Sequence, residues 1–245
     1  KLVSIVINNE YIKICEITKT GKNVIVHKTV TIPTPEGCYE DGILENIPNL
    51  ASAIKAVMDE HRFASKDVAF SISSPRLATK EVLIPNVKGD KVGKIVQANA
   101  TEYFPVNMDE YIIQHTILEK IEDSGQDKLK LMVAAVPSEV AESYYNLAKT
   151  LGFKIAFIDY VGNSTYQIMK QQIGPEVSLV IQVENDSTVI NIFKENVLQL
   201  QRMVPYGKSM LVNAVMERYE LKYDAATAKL QNETLLHSRF DGDEV

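Results

Sequence analysis

Two distant stretches of this chain follow one pattern, and a pattern used twice constrains the fold more than any single motif. LVSIVIN, YIKICEIT and NVIVHKTVTI open the sequence as three β-branched runs joined by short polar turns. VSLVIQVEND, STVINIFKEN and VLQLQRMVPYG repeat that pattern near the other end. Such runs pair as antiparallel hairpins. One lobe design used twice leaves a cleft between its copies.

Strand and helix patterns alternate between the repeats. After the loop TPEGCYEDGILEN, the segment IPNLASAIKAVMDEHRF places Leu50, Ile54, Val57 and Met58 on one helical stripe. DVAFSIS and ATKEVLIPN read as strands. GDKVGKIVQANATEY predicts one helix through Val92, Ile95, Val96 and Ala100, stopped at Phe104-Pro105. YIIQHTILEK and LKLMVAAVP are strands, and SEVAESYYNLAKTLGF is a helix with Ser138 as its N-cap and Gly152 at its end. Residues 79–153 thus read as an inserted unit.

Composition excludes several function classes. With 45% hydrophobic and 24% charged residues the chain can build a sizeable core. Its 26 basic and 32 acidic residues give a net charge of −6 without a long basic run, which argues against nucleic-acid partners. No apolar run approaches the roughly 20 residues that cross a bilayer, and KLVSIVINNE lacks the features of a signal peptide, so a cytoplasmic protein without direct membrane insertion is expected. Cys15 and Cys38 lack the spacing of a metal knuckle and read as packing residues, and no metal site is expected. His27, His61, His115 and His237 fall in unrelated contexts, and Ser73-Ser74 lacks the flanking glycines of a nucleophile elbow. No catalytic residue is assigned.

The turns within Val6–Lys13 and Gln182–Thr188 are the candidates for phosphate binding, because a hairpin can aim backbone N–H groups and a Lys at an anion. Both lack glycine, which would let a phosphate approach the backbone, and Glu10 and Glu184 would repel one. On the residues alone they read as polar hairpin turns.

Several segments resemble the PilM family, the actin-like cytoplasmic proteins of type IV pilus assembly, distantly related to the cell-division actin FtsA. They are VSIVINNEYIKICEI, PEGCYEDGIL, VLIPNVKGDKVGKIVQANATEYFPVNMDEYIIQHTIL, LMVAAVPSEVAESYYNLAKTLGFKIAFID, the region ending QRMVPYG, and YDAATAKL. The resemblance implies an α/β, actin-like (ribonuclease H-like) two-lobe fold with an inserted FtsA-type α+β subdomain. The first lobe would take residues 1–78 and 154–175, the insert 79–153, and a second, incomplete lobe 176–245.

Nucleotide-binding relatives carry an Asp and a Gly in each phosphate turn. Here these positions hold Val6 and Asn8, then Gln182 and Glu184. Lys13 and Thr188 survive from those motifs, Gly207-Lys208 stands where two glycines are usual, Ala226 replaces a ribose-contacting Glu, and Lys229 remains basic. The implied nucleotide site, in degenerate form, is Asn8, Asn9, Lys13, Asn185, Asp186, Ser187, Thr188, Gly207 and Lys229. Without the two carboxylates that hold Mg²⁺, a pseudo-actin with no cofactor is expected; the alternative is an ATPase that still binds ATP with magnesium.

The resemblance also implies a partner, the N-terminal tail of the inner-membrane protein PilN, held in a groove of the first lobe and the insert. Its expected lining is Val82, Leu83, Ile84, Ile95, Ala98, Asn99, Tyr103 and Phe104, each of which could equally be insert core. The protein would then be a scaffold recruited to the inner face of the cytoplasmic membrane, with other pilus assembly proteins and self-association as further contacts.

Overall fold

The computed structural model describes residues 1–21 and 23–232; His237, and the expected second lobe beyond Asn232, lie outside them. Three strands open the chain: β1 (Leu2–Ile7), β2 (Tyr11–Thr20) and β3 (Asn23–Pro33). Short β4 (Tyr39–Glu40) and β5 (Ile43–Leu44) precede α1 (Ile47–Glu60) and β6 (Asp67–Ile72). The insert then supplies β7 (Ala78–Pro85), α2 (Lys91–Ala98), α3 (Ala100–Tyr103), β8 (Tyr111–Asp123) and β9 (Gln126–Pro137). The remaining elements are α4 (Ser138–Leu151), β10 (Lys154–Tyr160), α5 (Val161–Met169), β11 (Ser178–Val183), β12 (Thr188–Lys194), β13 (Val197–Val204), α6 (Lys208–Tyr219) and α7 (Tyr223–Asn232).

The first sheet has the order β10-β6-β1-β2-β3, antiparallel through the hairpins and parallel from β1 to β6 and β10. Alternation along β1 buries Val3, Ile5 and Ile7 on one face. Leu50, Ile54 and Met58 of α1 close over that face together with Val140, Tyr144 and Leu147 of α4. The Tyr144 ring meets Phe70 edge to face at 5.2 Å between centroids. The expected insert boundary at residue 153 is therefore corrected: α4 belongs by packing to the first lobe, because its apolar stripe is spent on the five-stranded sheet. Pro137, not Ser138, takes the N-cap position, and no side chain caps this helix; Gly152 ends it at φ 66° as expected.

The insert's sheet runs β7-β9-β8. One face, with Val82, Ile84, Leu131 and Val133, packs on Val92, Val96 and Phe104. The single helix expected over 89–103 is two, broken at Asn99.

The second lobe repeats the opening as an antiparallel sheet β11-β12-β13. Three parts meet where Met132 of the insert and Tyr166 of α5 pack on Phe193 and Leu198, the two rings stacked at 6.2 Å. The insert also grips the edge of β13. Glu81 accepts the Gln201 N–H at 3.3 Å, and Lys130 donates to Gln199 at 2.7 Å. Among the described residues no helix is long and apolar enough to cross a membrane.

Candidate functional site

A cleft of about 950 Å³ lies between the lobes, lined by Asn8, Asn9 and Lys13 on one side and by Gln182, Glu184, Asn185, Asp186 and Ser187 on the other. Ser164 and Thr165 of α5 and Tyr39 line it too. The duplicated hairpins do bring these residues together. Of the other expected nucleotide residues, Thr188 donates its hydroxyl to the Tyr206 carbonyl at 2.6 Å and so ties the chain after β13. Lys229 lies on α7 with its ammonium 4.5 Å from the Tyr219 ring, and Ala226 is buried between α6 and α7. Neither is part of the cleft lining.

The turns are occupied with their own folding. Asn8 Oδ1 accepts the backbone N–H groups of Glu10 at 2.9 Å and Tyr11 at 2.7 Å, an Asx turn that uses the amides an anion would need. In the second turn Gln182 donates to Glu184 Oε1 at 2.5 Å and accepts from Thr165 at 2.7 Å. The first N–H groups of α6 are spent as well: Lys208 donates to the Glu184 carbonyl at 2.9 Å and Ser209 to that of Asn185 at 2.8 Å. Gly207 makes this approach possible, since a Cβ there would lie 2.3 Å from the Asn185 carbonyl oxygen.

The field of the cleft is acidic. Burial pushes the Tyr39 phenol above its ordinary range, and Asp186, Asp41 and Glu184 push it the same way. Burial and then Glu184 raise Tyr11. Lys13 is the single cation among the described lining residues, and no group of three potential metal ligands occurs among the described residues.

A second concavity, about 380 Å³, lies between the outer face of the insert's sheet and the first lobe. Ile112, Gln114 and Thr116 of β8 and Met132 of β9 face Ile158, Asp159 and Tyr160 of β10 and Asn163 of α5. Both β8 and β10 are edge strands. Asp159 accepts from the Tyr160 N–H at 2.8 Å and from Asn163 Nδ2 at 2.9 Å, which fixes the start of α5 beside the groove.

None of the eight residues expected to line a partner groove lines this concavity. Val82, Ile84 and Phe104 are core of the insert, and Ile95 and Tyr103 pack against that core. Leu83 and Ala98 are exposed and Asn99 half-buried, away from this groove. The physical reason is that β7 and α2 turn their apolar faces toward each other. Ile112, Gln114 and Thr116 went unassigned, although they form one alternate set along YIIQHTIL.

Two lobes that each open with three antiparallel strands, a cleft between their hairpin turns and a subdomain inserted into the first define the actin-like class. MreB 5 of Spiroplasma citri bound to AMPPNP is similar at a TM-score of 0.51 and 9% identity, over 97% of this chain and 64% of that one. The ethanolamine utilization protein EutJ from Carboxydothermus hydrogenoformans gives a TM-score of 0.51 and 9% identity, over 94% and 61%. The PilM-PilN type IV pilus biogenesis complex is similar at a TM-score of 0.81 and 18% identity, over 94% of this chain and 69% of that one. The family model of the type IV pilus assembly protein PilM matches residues 4–239, and the chain belongs to that family. None of the curated proteins matches it.

Proposed function

We propose that this chain is a non-enzymatic adaptor of type IV pilus assembly that holds the short cytoplasmic tail of a PilN-like membrane protein as an extended peptide between β8 and β10. The observation that carries this reading is the groove lined by β8 and β10, edge strands among the described residues, with Ile112 and Met132 as apolar contacts. An added strand gains main-chain hydrogen bonds from such edges, and the pockets between them select its side chains. Occupancy of the groove would recruit the protein to the inner face of the membrane.

In this reading the cleft does not take magnesium with a polyphosphate. The residues present do not fit that group: the amides of Glu10 and Tyr11 are held by Asn8, those of Lys208 and Ser209 by the Glu184 and Asn185 carbonyls, and Glu184 and Asp186 oppose phosphate charge. No cofactor is required for an adaptor.

Titration of the N-terminal PilN-like peptide should show binding that Ile112→Asp weakens at least tenfold. Ile112 is 39% exposed, so the variant should keep its fold. Unchanged affinity in folded Ile112→Asp would remove the groove from the binding site.

A further inference from the structure

The hairpin turns that face each other across the cleft are bonded to one another. Asn185 Nδ2 donates to Asn9 Oδ1 at 2.8 Å, and Lys208 Nζ donates to Glu10 Oε1 at 2.8 Å. Asn9 and Glu10 belong to the first lobe's turn, Asn185 and Lys208 to the second lobe, so both bonds cross between lobes. Asn185 Nδ2 also donates to Asp186 Oδ1 at 3.0 Å, and a carboxylate can only accept, which settles the orientation of this amide. Ser209 Oγ lies 3.1 Å from the same Asp186 oxygen, and the first N–H groups of α6 are tied to the Glu184 and Asn185 carbonyls. The second lobe therefore presents its half of the contact as a preformed unit.

We infer that these two bonds form an interlobe latch: the chain supplies its own carboxylate, Glu10, to the cation beside the second turn, and so sets the separation of the lobes without a bound anion. The inference stands apart from peptide binding, since it concerns the cleft on the other side of α5. The ammonium of Lys208 is held above its ordinary pKa first by its hydrogen bond with Glu10, against the opposing effect of burial. Both side chains of the ion pair are about two-fifths exposed, at 41% and 39%. Such a pair contributes little to global stability, so its effect belongs to the balance between closed and open lobes rather than to unfolding.

The test is a pulsed EPR distance between spin labels on non-canonical residues at the exposed positions Ser52 and Lys194, which leaves Cys15 and Cys38 in place. The full chain should give one main distance. Glu10→Lys should raise the population at longer distance about two- to five-fold, the ratio an exposed ion pair supports. Adding Lys208→Glu to that variant should restore the original distribution. An unchanged distribution in Glu10→Lys, or a swapped variant as open as the single one, would overturn the latch.

Discussion

Asn8 occupies a turn position where glycine would leave backbone amides open, and its carboxamide takes two of those amides itself. Gly207 acts the other way. Its φ of −138° is open to any residue, so its requirement is steric: the Asn185 carbonyl stands where a Cβ would go. Gly207→Ala should therefore cost about 1–3 kcal/mol through a backbone shift, read as a lower melting temperature. A melt unchanged within a degree would show that the turn can yield. Glu16, fully buried, accepts from the Ala64 N–H at 2.8 Å and pairs with Lys1. The Ala64 bond holds its carboxyl below the usual range, against burial, which raises it, with Lys1 adding to the lowering. A depressed folded pKa means stabilisation that is present above the unfolded value, about 4.3, and lost as pH falls through the folded one. Between pH 6 and pH 3 the wild-type melting temperature should fall further than that of Glu16→Gln; parallel profiles would remove Glu16 from the acid response.

At the scale of elements, α4 carries a test of how cores tolerate polar atoms. Tyr144 is fully buried, its ring on Phe70, and its hydroxyl has no hydrogen-bond partner among the described residues. An unpartnered buried hydroxyl costs free energy, so Tyr144→Phe should be neutral or stabilising by about 1–2 kcal/mol in denaturant melts. A clear loss of stability would mean that the hydroxyl is satisfied in solution. The strands and most helices were legible because their periods are local: Val3, Ile5 and Ile7 alternate, and Leu50, Ile54 and Met58 recur at helical spacing. The break at Asn99 carries no Gly or Pro to mark it.

For the whole molecule, the two concavities predict opposite ligand responses. Mg·ATP at millimolar concentration should leave the melting temperature unchanged, because Asn8 holds the amides of Glu10 and Tyr11, the Glu184 and Asn185 carbonyls hold those opening α6, and the lining is acidic. A ligand bound only by the native state, present at about 100 times its Kd, would stabilise by about 2.7 kcal/mol, which a melt detects readily. Such a rise with Mg·ATP would restore the ATPase alternative. The sequence by itself determined the duplicated three-strand openings, the cleft between them and the residues in its turns, since alternation and turn composition act over a few residues. Only the tertiary structure decided that α4 closes the first lobe, that Val82, Ile84 and Phe104 are core, and that the face of Ile112 and Thr116 lines the groove. Apolar faces of similar composition compete for the same partners, and which pair meets depends on contacts between residues far apart in the chain.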